Sequence, residues 1–172
     1  FLEKVLTKIL EYETKDEIDK LIALEVDKLK NEYELKDIAL PISVNDISSY
    51  TKNVPVHVRG SKIWNKYFAK TEMDKVITGK VKYIYVKRWL TEPQLNEEGA
   101  YVLAVPDKES YWQAINEKIE VDYSKMRERL ISKPVAAFYT ALGWKLPSAA
   151  ITDNNGTLNK VANKSKSKLK LI

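Results

Sequence analysis

Apolar residues recur at helical spacing from the start of the chain. Leu2, Val5, Leu6, Ile9 and Leu10 fall on one side, which predicts an amphipathic helix. Thr14 and Glu17 have the spacing of a capping box, and Ile18, Leu21, Ile22, Val26, Leu29 and Tyr33 then share one face of a second helix. The period shortens to two at Ile38, Leu40, Ile42 and Val44, which alternate with Ala39, Pro41 and Ser43. That alternation predicts a strand, and Pro41, having no N–H to donate, predicts that it lies at a sheet edge. Asn45 or Asp46 is placed to cap a short turn through Tyr50.

Pro55 is predicted as the first residue of a helix carrying Ile63, Trp64, Tyr67 and Phe68. Gly60 inside that helix costs about 1 kcal/mol relative to Ala, so it needs a cause: another backbone packed close, or DNA approaching. Thr78-Gly79 turns the chain into a strand over Lys80–Val86, with Val81, Tyr83 and Tyr85 on one face and Lys80 and Lys82 on the other. Ala100–Val105, ended by Pro106, predicts a strand able to pair with it. Glu109–Ile119 is predicted helical with Tyr111, Trp112 and Ile115 inward. Tyr123–Gly143 is predicted as another helix, with Met126, Leu130, Val135, Phe138, Tyr139 and Leu142 on its buried stripe. Pro134 should kink it near Leu130, and Gly143 suits the position just past its end. The fold class is therefore α+β, a small antiparallel sheet flanked by helices. From Pro147 the composition turns to Asn, Ser, Thr and Lys, and residues 157–172 hold five lysines and no acid, which predicts a flexible basic tail.

A chain of 172 residues suffices for one substantial core or two small subdomains. No apolar run approaches the ~20 residues that span a bilayer. The absence of cysteine excludes disulfides and Cys-ligated metal sites and fits a reducing compartment. A start at Phe1 rather than Met points to a fragment, a processed product or one piece of a split protein. The net charge of +5 conceals a gradient: residues 1–40 carry seven Lys and eleven Asp or Glu, a balance of −4, leaving +9 for the rest. Such asymmetry suits one end that faces protein or solvent and a body that faces a polyanion.

The basic character peaks between His57 and Leu90, with nine Lys or Arg against Glu72 and Asp74. In order, PVHVRGSKIWNKYF, a polar interval and TGKVKYIYV resemble the thumb of family-B DNA polymerases, most closely those of T-even-type phages. ISVNDISSY upstream looks like the strand and turn that precede the helix in those thumbs. VDYSKMRERLISKPVAAFYTALGW downstream looks like their last helix, with its Lys-Pro step and closing Gly. The resemblance spans about Glu25 to Lys145.

What the resemblance implies is a domain that holds the primer–template duplex by sequence-independent phosphate and minor-groove contacts, in support of processive synthesis. Carried over by position, the DNA contacts fall on His57, Arg59, Lys80, Lys82, Lys108, Arg129 and Lys133. A planar guanidinium suits Arg59 to a phosphate, against a surface salt bridge as the alternative. His57, the only histidine, is either a backbone-bonded residue at a helix start or a neighbour of the duplex. Arg129 and Lys133 at i, i+4 would share a helix face. Neither palm motif that carries the family's metal-binding aspartates occurs, so the chain is not expected to polymerise alone. Two divalent ions, Mg by the family's chemistry, are expected in a larger partner chain bearing exonuclease, palm and fingers. The implied division is a helical segment at 1–36 that packs on that chain, a DNA-binding thumb at 37–146 and the tail at 147–172. The implied location is the cytoplasm of a cell or virus-infected cell, with replicating DNA. The phage polymerases end in an aromatic peptide that docks on a sliding clamp; SKSKLKLI has Leu169, Leu171 and Ile172 but no aromatic, so a clamp anchor stands beside a basic tail that lingers on DNA. Trp64, Trp89, Trp112 and Trp144 suit a core more than base stacking, Trp89 being the exception in its basic surroundings. The alternatives to a thumb are an independent basic nucleic-acid-binding protein and a structural adaptor.

Overall fold

Two helices open the chain in the computed structural model, which describes residues 2–11, 13–91 and 99–151. They are α1 (Leu2–Leu10) and α2 (Lys15–Asn31), followed by α3 (Leu35–Ile38), β1 (Leu40–Val44), α4 (Val56–Tyr67) and β2 (Gly79–Trp89). Then come β3 (Val102–Pro106), α5 (Glu109–Ile115), β4 (Ile119–Val121), α6 (Tyr123–Arg127), α7 (Lys133–Ala141) and α8 (Ser148–Ile151). The chain divides into two compact units. One is Lys28–Met126; the other joins the described residues up to Asp27 with those from Arg127 onward. Among the described residues no helix is long and apolar enough to cross a membrane.

In the unit Lys28–Met126, β2 is the central strand of a small antiparallel sheet. β1 pairs on one side, from Leu40 opposite Tyr83 to Val44 opposite Gly79. β3 pairs on the other, from Val81 opposite Pro106 to Tyr85 opposite Val102. The edge position predicted from Pro41 is thus observed. β2 runs on to Trp89, beyond the predicted Val86, and its far end pairs with β4 across a bulge between Val86 and Arg88. β4 corrects the sequence reading, which gave Ile119 to a helix. Helix α5 stops at Ile115 because Ile119 and Val121 bury on β2 while Glu120 between them reaches Lys87 and Arg88, both at 2.9 Å. Three alternating residues are too short a run to announce a strand by pattern alone.

Helix α4 lies directly on β3. Asp46 caps the preceding 3-10 turn Ile47–Ser49, accepting from the Ser48 N–H at 2.9 Å, and Pro55 is the cap residue of α4, one place before its predicted role. A Cβ added at Gly60 would stand 2.7 Å from the Ala104 nitrogen and 3.0 Å from the Leu103 carbonyl carbon. Close backbone packing is therefore the cause of this glycine. A run of rings fastens the same layer: Tyr111 on Trp64 (4.9 Å between centroids), Trp64 on Phe68 (5.9 Å) and Phe68 on Trp89 (5.7 Å).

In the other unit, the Thr14 capping box forms as its spacing predicts, the Thr14 N–H donating to Glu17 at 2.8 Å. The Thr14 hydroxyl and N–H hold the Glu17 carboxyl below its usual range. Val5, Ile18 and Ile22 are fully buried. The helix predicted over Tyr123–Gly143 is continuous in path but π-helical over Glu128–Ser132. Pro134 offers no N–H, and its ring crowds the carbonyl four residues back, so the expected disturbance at Leu130 takes the form of a widened turn. Gly143 ends α7 with φ +69°. The Trp144 N–H donates to the Tyr139 carbonyl (2.8 Å) and the Gly143 N–H to that of Thr140 (3.2 Å), the paired bonds of a Schellman end. Part of the stretch predicted as tail folds: α8 buries Ala150, whose carbonyl accepts from the Ser132 hydroxyl. The lysine-rich residues 157–172 and the terminal SKSKLKLI, where a clamp anchor was considered, lie outside the described residues.

Candidate nucleic-acid interface

The start of α4 carries the first two residues expected at DNA. His57 is half-buried with its ring 6.4 Å from that of Tyr83. Burial lowers its pKa and so favours the neutral imidazole. Arg59 points into the unit. Its Nε donates to the Val54 carbonyl at 2.9 Å and its guanidinium to the Tyr101 hydroxyl at 2.8 Å. Gly99, at φ +85°, leaves room beside it, since a Cβ there would sit 3.0 Å from the Arg59 Cβ.

Strand β2 sends Lys80 and Lys82 to the sheet face opposite Tyr83, and so away from His57. Lys82 pairs with Asp107 at 3.0 Å, whereas Lys80 is exposed and forms no ion pair with any described residue. Lys108 is the cap residue of α5, its ammonium 4.6 Å from the centre of the Tyr111 ring. These five residues are therefore spread over both faces and one end of the sheet unit. In the other unit, Arg129 is exposed on the π-helical turn and Lys133 pairs with Glu128 at 2.8 Å. The i, i+4 relation expected of Arg129 and Lys133 runs through that widened ladder.

The sheet unit gathers other cations that the sequence places only in a basic stretch. An open groove of about 690 Å³ is lined by Ile47, Ser48, Tyr50, Thr51, Lys62, Asn65, Lys66 and Lys75, with three lysines and no carboxylate. Helical spacing puts Lys62 and Lys66 on one side of α4, the side turned away from β3. Asn65 fixes the wall between them by accepting from the Val76 N–H and donating to the Val76 carbonyl, both at 2.7 Å. Lys62 reaches the Tyr50 carbonyl at 3.3 Å, Lys66 lies 4.9 Å from the Tyr67 ring centre, and Lys75 pairs with Glu72. The sequence signal was the i, i+4 pair of lysines on a helix with an apolar opposite face. What it lacked was the turn 47–51 that walls the groove.

Trp64, Trp89 and Trp112 are buried. For Trp89 this corrects its reading as the candidate for base stacking, because the bulge in β2 turns its indole inward, where Nε1 donates to the Ala100 carbonyl. Trp144, half-buried, sits edge-on to Tyr139 at 5.6 Å. Among the described residues no three histidine or acidic side chains come together as a metal site. No family model matches this chain, and no curated protein matches it.

Proposed function

We propose that this chain is the thumb portion of a family-B DNA polymerase, acting with a larger chain that carries exonuclease, palm, fingers and the two divalent metal ions. The observation that carries the reading is that the two central segments of the resemblance pack on one another within the unit Lys28–Met126. The helix opened by Pro55-Val-His-Val-Arg-Gly rests through Gly60 on the sheet whose central strand is Gly79-Lys-Val-Lys-Tyr-Ile-Tyr-Val. Such a layer presents cations to a duplex and contributes position, while the metals and the nucleophile belong elsewhere. Lys80, exposed on β2, is the best placed of the expected contacts. Leu6, Leu10 and Leu24 on α1 and α2 are exposed, Leu10 at 69%, on the acidic segment expected to meet the larger chain.

The test is primer extension under a DNA trap by the larger chain, with and without this one. Addition should lengthen the products made per encounter and leave single-nucleotide insertion chemistry almost unchanged. Unchanged product lengths together with no co-elution of the two chains would leave an independent nucleic-acid-binding protein as the better reading.

A further inference from the structure

We infer that the groove between the 47–51 turn and the outer side of α4 is a separate binding site for single-stranded nucleic acid. Three ammonium groups from two segments, Lys62 and Lys66 on α4 and Lys75 beyond the 3-10 turn Glu72–Asp74, line one concavity that no carboxylate lines. The contacts of Lys62 and Lys75 are replaceable. Glu72, the partner of Lys75, is 84% exposed, and an exposed ion pair contributes little that a phosphate cannot match. Lys62 donates to a carbonyl at 3.3 Å, a contact that a charged acceptor outcompetes.

The shape and the remaining lining favour a single strand. A duplex offers its phosphates on a convex cylinder with its bases paired inside, and it meets a surface rather than entering a groove. A single strand brings phosphates and uncovered bases together, and here the lysines stand beside the half-buried Tyr50 and Ile47. That combination of cations with a ring is the arrangement that binds single strands without reading sequence. The groove is complete within the unit Lys28–Met126, so the site needs no partner chain and stands or falls apart from the polymerase reading.

The experiment is fluorescence anisotropy of a labelled oligo(dT) with the full chain. The triple variant Lys62→Gln/Lys66→Gln/Lys75→Gln should lose roughly tenfold or more in affinity, and its log–log salt slope should become shallower by about 2, at about 0.7 per phosphate released. The corresponding triple Lys→Arg variant should restore binding, and Lys30→Gln, exposed on α2 and outside the groove, should change oligo(dT) affinity less than about twofold. Thermal melts of all variants check the fold. Wild-type affinity in the folded Gln triple variant would overturn the site. So would equal competition by poly-glutamate, which would make it an acidic-peptide groove, or tighter binding of a hairpin duplex that the Gln triple variant also loses.

Discussion

Arg59, expected at the duplex, makes two hydrogen bonds within its own unit. Its two bonds tie the Val54 carbonyl, just ahead of α4, to Tyr101 at the approach to β3. Hydrogen bonds from a charged donor contribute about 1.5–3 kcal/mol, so Arg59→Ala is expected to lower the unfolding free energy by about 2 kcal/mol. Lys keeps the charge but not the two-armed geometry. Arg59→Lys should therefore also destabilise in urea titration while leaving duplex affinity close to wild type at low salt. A lysine variant as stable as wild type but weak on DNA would return Arg59 to the interface. His57 supports the same view of this helix start, since its lowered pKa and its place beside Tyr83 suit packing at neutral pH.

At the scale of elements, the contact of α4 with β3 governs the sheet unit. Ala at position 60 would gain about 1 kcal/mol in helix propensity. Its methyl group would meet backbone atoms at 2.7 and 3.0 Å, and backbone cannot rotate away as a side chain can. Overpacking of this kind costs about 1–3 kcal/mol or more. The backbone contacts leave the methyl nowhere to go, so the clash should win, and Gly60→Ala is expected to be less stable than wild type by up to about 2 kcal/mol in chemical denaturation. A more stable variant would mean that α4 can lift from β3 without loss. The bulge in β2 acts at the same scale: it leaves Lys87 and Arg88 both exposed, and the two clasp Glu120, whose carboxyl they hold below its usual range.

At the scale of the whole molecule, the first and last parts of the described chain are joined within one unit. The Tyr139 hydroxyl donates to Asp19 at 2.5 Å, linking residues 120 positions apart, and Lys15 pairs with the same carboxylate. Burial, and then the bond to anionic Asp19, push the Tyr139 pKa upward. The unfolded chain would ionise this tyrosine near pH ~10, whereas the folded chain resists doing so. The stabilisation is therefore fully present below that pH and is lost as pH rises toward the folded value. Unfolding free energy measured in urea should fall above pH ~10. Tyr139→Phe should lower stability at neutral pH by about 1–2 kcal/mol and flatten the alkaline decline. An equal decline in the variant would place the titrating group elsewhere.

Local rules made much of this legible in the sequence. The Thr14–Glu17 box, the edge strand with Pro41, the alternation of β2, the disturbance ahead of Pro134 and the Gly143 helix end each depend on a few neighbouring residues whose physics does not change with context. Net charge by segment is likewise a property of the chain alone. Three things waited for the tertiary structure because they depend on what lies opposite. The cause of Gly60 is the Ala104 backbone, β4 exists because β2 continues past a bulge, and Trp89 is buried because that bulge turns it inward. The same holds for the cations. Sequence counts nine between His57 and Leu90, but only folding decides that Arg59 bonds inward, Lys82 meets Asp107, and Lys62, Lys66 and Lys75 share a groove. Charge is local, whereas the partner of a charge is set by elements distant in the chain.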